Sequence, residues 1–245
     1  MANWSDPRSA APYATQAGAR TAATDAGLRS YMLSVYNYMG SGVLLTGIVS
    51  LLMWQSGAVY SLIGQNGMTG LGWIVMLSPL AIVFAMSFGQ NRMSTATMQI
   101  LFWSYAGLMG ASLSTIFLAY TSTSIAQVFF ATAAGFAGLS LYGYTTKRDL
   151  SAFGTFLVMG VVGLIVAMVI NLFLQSDTMS LVISGIGVLL FAGLTAYDTQ
   201  KIKSMYSYVA GTDMMGKAII MGALTLYLDF INMFLFMLRL FGSRD

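Results

Sequence analysis

The chain has 245 residues, 57% of them hydrophobic and only 8% charged, whereas a soluble domain carries about a quarter charged residues. All eight acids are Asp, set against 11 Lys and Arg for a net charge of +3, and Glu, His and Cys are absent. This excludes a water-soluble globule, disulfides, cysteine nucleophiles, Ser-His-Asp triads, imidazole metal sites and a histidine pH switch, and leaves proton or cation chemistry to Asp.

Residues 1–28 are rich in Ala, Thr, Ser, Gly and Arg, with Pro7 and Pro12, and read as a flexible polar tail. The first apolar run begins only near Tyr31, so the immediate apolar stretch of a secretory signal is missing. Residues 29–245 then hold seven apolar segments, near Tyr31–Trp54, Leu71–Phe88, Met98–Tyr120, Ser124–Tyr144, Phe153–Leu174, Ser180–Thr199 and Lys217–Leu240. Each has close to the ~20 residues that a bilayer-spanning helix needs. The pattern predicts an all-α polytopic membrane protein with seven transmembrane helices. A nucleic-acid partner is excluded, because the basic residues form islands between apolar runs instead of one continuous face.

The basic residues also set the expected orientation. Arg8, Arg20 and Arg29 precede the first segment, Arg92 separates the second from the third, and Lys147 and Arg148 separate the fourth from the fifth. Lys201, Lys203 and Lys217 flank the connection from the sixth to the seventh, while 55–70, 121–123 and 175–179 contain no Lys or Arg. The positive-inside rule puts the N-terminus in the cytoplasm. A seventh segment that dips in and returns would keep Arg239 and Arg244 on that side too, but its length favours a full span. Small residues recur four apart at Ala106/Gly110, Gly107/Ala111, Ala131/Gly135 and Ala134/Gly138, and these faces are expected to pack helices within the bundle. The 19 Met residues read as filling for irregular helix contacts.

Six of the acids have watery or terminal positions. Asp6 and Asp25 lie in the tail, Asp177 and Asp213 in loops, Asp245 at the end, and Asp149 beside Lys147 and Arg148, with which it is expected to pair. Asp229 falls in the middle of the seventh segment, where an acid costs about 2.5 kcal/mol or more and should face a partner inside the bundle. Gly222, Thr225, Asp229 and Asn232 share one helical face there. Asp198 ends the sixth segment after Tyr197, with Lys201 three residues on as a local partner. The two acids can meet only if the sixth helix runs past Thr199 or the seventh starts later than Lys217. If they meet, they share a proton and titrate as a pair, and without it they offer hard oxygen ligands suited to Ca²⁺.

Two stretches carry a family resemblance, Ala196-Tyr197-Asp198-Thr199-Gln200-Lys201-Ile202 and Gly222-Ala223-Leu224-Thr225-Leu226-Tyr227-Leu228-Asp229-Phe230-Ile231-Asn232. In them the chain resembles the Bax inhibitor-1 family, also called the transmembrane Bax inhibitor motif family, and the leader looks bacterial. The resemblance implies a seven-helix bundle whose last helix is central and surrounded by the other six. It implies a pH-sensitive Ca²⁺ leak regulated by Asp198 and Asp229, here expected in a bacterial inner membrane; the residues themselves offer calcium contact at the pair and polar support from Thr225, Asn232 and Tyr197. It implies no catalytic residue and no cofactor. A basic latch near the end of the second helix falls to Arg92, although the Glu that some members carry on that helix is missing. Bacterial relatives also suggest a non-conducting regulator acting through a membrane-bound AAA protease. An intramembrane aspartyl protease is the remote alternative: Tyr197-Asp198 fits its first motif, but Leu226-Tyr227-Leu228 is bulky where its second needs glycine.

Overall fold

The computed structural model describes residues 11–65 and 67–244, with side chains from Thr24 onward. Each apolar segment becomes one helix. They are α1 (Ala11–Gln55), α2 (Gly70–Gly89), α3 (Thr95–Leu113), α4 (Ser122–Thr145), α5 (Ser151–Leu174), α6 (Asp177–Val209) and α7 (Met215–Phe241). Four of them start on a hydroxyl side chain: Thr69, Ser94, Thr121 and Ser176 accept from the backbone N–H of Gly72, Thr97, Ser124 and Met179. These bonds satisfy donors that a first helical turn leaves over. A short antiparallel hairpin, β1 (Ile63–Gly64) with β2 (Gly67–Met68), lies between α1 and α2.

Two boundaries differ from those expected. The stretch read as a tail is helical from Ala11, because Pro12 falls in a first turn, where its missing N–H costs nothing. Residues 1–10, and Asp6 with them, lie outside the described residues. The sixth helix does not stop with its apolar run at Thr199 but continues to Val209. Hydropathy falls there while packing does not: Ile202 is buried and Tyr206 lies 5.5 Å from the ring of Tyr31. Asp177, expected in a loop, is the first residue of α6.

All seven helices are long and apolar enough to cross a membrane. Large apolar side chains such as Ile74, Phe88, Leu172, Phe173 and Leu189 point outward, as a lipid-facing surface requires. The most apolar stretch of α7 is 67% buried, against 17% for α2 and 11% for α5, so the last helix is the central one. Its immediate ring is smaller than the six helices expected. It packs on α1, α3, α4 and α6, whereas α2 rests mainly on α3 and α5 on α6.

Helix α7 is continuous, with no break for a dip and return. Past its end, the Ser243 N–H donates to Ser124 Oγ at 2.8 Å and the Ser243 carbonyl accepts from Thr121 at 3.1 Å. Ser243 therefore lies beside the α3–α4 connection, at the opposite end of the bundle from the turn where α7 begins.

The small-residue faces divide sharply. A side chain at Gly110 would meet the Thr46 carbonyl of α1 at 2.6 Å, and one at Gly143 would meet the Ala196 carbonyl of α6. At Gly107, Gly135 and Gly138 there is open space, and Ala131, Ala134, Gly135 and Gly138 are exposed on α4. The α4 pairs therefore do not pack helices within the bundle as expected. Gly143, in no pair singled out from the sequence, marks the real crossing of α4 and α6. Gly143→Ala should destabilise the protein by about 1–3 kcal/mol, since backbone cannot move aside as a side chain can. Gly138→Ala should leave thermal unfolding in detergent unchanged or slightly raised.

The connection 146–150 is held by α6. Gln200 accepts from the Leu150 N–H at 2.9 Å and donates to the Arg148 carbonyl at 2.8 Å. Asp149 does not pair with Lys147 or Arg148 but turns back to Ser151, whose N–H lies 2.9 Å from Oδ1. The Ser151 hydroxyl and N–H hold this carboxyl below its usual range. A lowered folded-state value contributes stability above the unfolded carboxylate value that is lost as pH falls through the folded one. Ser151→Ala should accordingly move the Asp149 titration, followed by carboxyl NMR, up toward 3.8.

Candidate functional site

Helices α6 and α7 run antiparallel from the short turn at 210–214, which matches the depths of their two acids. At ~1.5 Å per residue, Asp198 lies about 17 Å from the Val209 end of α6 and Asp229 about 21 Å from the Met215 start of α7. The extension of α6 past Thr199 creates this match. Asp198 is 9% exposed and Asp229 4%, and the two carboxyl groups lie close enough to act on one another across the α6–α7 interface. Asp229 Oδ2 has no partner of its own. Two carboxyl groups this close in a low-dielectric interior cannot both ionise cheaply, so they are expected to share a proton and titrate as a pair.

The other residues named from the sequence stand around the pair without bonding to it. Thr225 Oγ1 donates to the Met221 carbonyl at 3.0 Å and Asn232 Nδ2 to the Leu228 carbonyl at 2.8 Å, each within its own helix. Gly222 gives room for Ile202, whose methyl carbon would lie 3.1 Å from an added Cβ. Tyr197 turns away toward α5, where its ring covers Gly154. Lys201 acts on Asp198 through its charge, and its ammonium lies over the Tyr197 ring, 5.9 Å from the centroid. Arg92 is exposed in the α2–α3 turn and is not among the groups acting on either acid.

Two polar links had no signal in the sequence because their partners come from different helices. Ser140 on α4 and Thr199 on α6 share a hydrogen bond of 3.0 Å, and Thr199 is the backbone neighbour of Asp198. Ser140 also lines a cavity of about 550 Å³ between α1 and α4, with Arg29, Tyr36, Phe136 and Tyr144. This hydroxyl pair joins the wall of the cavity to α6, and neither hydroxyl bonds to Asp198 or Asp229. On the other side of α7, Tyr227 Oη lies 2.6 Å from Thr46 Oγ1, which donates to the Ala106 carbonyl at 2.8 Å. This ties α7 to α1 and α3, and the Tyr105 ring packs edge-on to Tyr227 at 5.1 Å.

Fold and site together define a multi-pass membrane protein whose central helix carries one of two contacting acids. The chain belongs to the Bax inhibitor-1 family: the family model described as inhibitor of apoptosis-promoting Bax1 matches residues 28–245. It is 52% identical over 221 residues to the uncharacterized protein RP147 of Rickettsia prowazekii, covering 90% of this chain and 92% of the relative. It is 45% identical over 221 residues to the inner membrane protein YbhL of Escherichia coli K12, covering 89% and 94%. The uncharacterized membrane protein SpyM3_0260 of Streptococcus pyogenes is 40% identical over 225 residues, covering 91% and 96%.

Tyr227→Phe removes one buried interhelical hydrogen bond and nothing else of size. It should lower stability in detergent by about 0.6 kcal/mol, the usual value for such bonds in membrane bundles. A loss of several kcal/mol would mean that the Thr46 link organises far more of the bundle than one contact.

Proposed function

We propose that the protein is a pH-sensitive calcium leak pathway of a bacterial inner membrane, with its N-terminus in the cytoplasm and Asp198 and Asp229 as its control. The observation that carries this reading is the contact of two buried carboxyl groups across the α6–α7 interface. While a proton links them, the two helices are held together and their oxygens are occupied. Removing that proton leaves two like charges touching where water cannot screen them, which drives α6 and α7 apart. The same step frees hard oxygen ligands. Two carboxylates fill at most part of the 6–8 positions around Ca²⁺, and water completes the shell of an ion in passage. Calcium is thus cargo, competing with the proton for one set of oxygens.

In this reading protons approach from the end of the bundle that holds Arg29, where a cavity between α1 and α4 reaches Ser140, the hydrogen-bond partner of Thr199 on α6. Nothing in this scheme calls for a catalytic residue or a cofactor. The sequence around Asp229 also speaks against peptide hydrolysis, because the buried Leu226 and Tyr227, with Leu228, stand where the protease motif needs glycine.

The test is calcium flux into proteoliposomes across a pH series, with wild type, Asp198→Asn and Asp229→Asn. Wild-type flux should rise as the pair loses its proton, while either Asn variant should respond weakly or not at all to pH. An unchanged pH response in both variants would contradict the assignment. Absence of flux at every pH, with a membrane-bound AAA protease co-purifying, would favour the regulator reading instead.

A further inference from the structure

We propose that the protein carries a site for the phosphate group of an anionic phospholipid, between the α4–α5 connection and α6. A cavity of about 310 Å³ there is lined by Lys147, Arg148 and Lys201 and by one acid, Asp149, with Gln200 and Ser151 between them. Three cations converge on it. Among the described residues none of the three head groups makes a hydrogen bond or an ion pair; Lys201 lies over the Tyr197 ring, and its charge also acts on Asp198.

The neighbouring Lys203 makes the contrast plain: its ammonium donates to the Tyr144 carbonyl at 2.7 Å and closes the end of α4. Asp149 makes no ion pair with these cations; its carboxylate bonds to Ser151, and its single negative charge leaves the cavity's three cations in excess. Nor is the arrangement a chance crossing of mobile side chains. Gln200 clamps both ends of the 148–150 backbone to α6, so the connection bearing Lys147 and Arg148 is fixed against the helix bearing Lys201.

Position selects the source of the phosphate. The cavity sits where α4 ends and α5 begins, at the rim of the apolar belt, which is the level of lipid headgroups. Directly below it, Phe153 and Phe156 stack at 6.2 Å and are exposed at 47% and 64%, an apolar ledge for an acyl chain. A soluble phosphate would use the cations and leave the ledge bare, whereas a phospholipid uses both.

The experiment is native mass spectrometry of the purified full-length protein with phosphatidylglycerol or phosphatidylcholine added, compared with inorganic phosphate. The protein should retain phosphatidylglycerol over phosphatidylcholine, and rising salt should weaken that retention. Lys201→Gln should lower it about fivefold and Lys147→Gln with Arg148→Gln about twenty-fivefold, at roughly fivefold per basic residue. Lys203→Gln should stay close to wild type. Equal retention of both lipids, insensitivity of the wild type to salt, or variants that retain phosphatidylglycerol like wild type would each overturn the site. Full displacement of the lipid by inorganic phosphate would overturn the lipid as its source.

Discussion

An acid in the middle of a membrane-spanning helix is the constraint on which the rest of this molecule depends. Left facing hydrocarbon, Asp229 would cost about 2.5–3.5 kcal/mol. The helix that carries it must therefore be enclosed, and α7 is the most buried of the seven. Enclosure alone would leave the carboxyl without a partner, so a second polar group has to be brought to the same depth. Helix α6 supplies it by running ten residues' worth of polar sequence beyond its apolar stretch, which places Asp198 beside Asp229.

Around that pair, each neighbouring helix reaches α7 or α6 through a specific contact. Helix α4 comes to backbone contact with α6 at Gly143, and its Ser140 bonds to Thr199. Helices α1 and α3 close on each other at Gly110 and join α7 through Thr46 and Tyr227. The outer helices α2 and α5 touch the centre little and present most of their surface to lipid. The inner helices thus enclose the acid pair while the outer ones form the lipid boundary.

Much of this was legible in the residues. The number of helices, the central place of Asp229 and the candidacy of Asp198 follow from hydropathy and from the cost of a buried charge. Helix ends were less legible where packing, not hydropathy, decides them: Ile202 and Tyr206 carry α6 past Thr199, and Pro12 sits where a helix tolerates it. The partners of Ser140 and Thr46 were invisible, because a hydroxyl in an apolar segment is equally able to bond back to its own helix, as Thr225 does. The α4 small-residue face misled for a related reason. Spacing reports that a face is smooth, not whether another helix covers it, and at Gly135 and Gly138 none does.

The central claim is that Asp198 and Asp229 act as one unit joined by a proton. A double-mutant cycle on thermal stability tests it most directly, with Asp198→Asn, Asp229→Asn and the double variant measured at acid and alkaline pH. Proton loss makes the wild-type pair repel, so at alkaline pH each single variant should gain stability relative to wild type, and the second substitution should add little to the first. Single effects that simply sum in the double variant at both pH values would contradict the claim, because two acids that do not interact must behave independently.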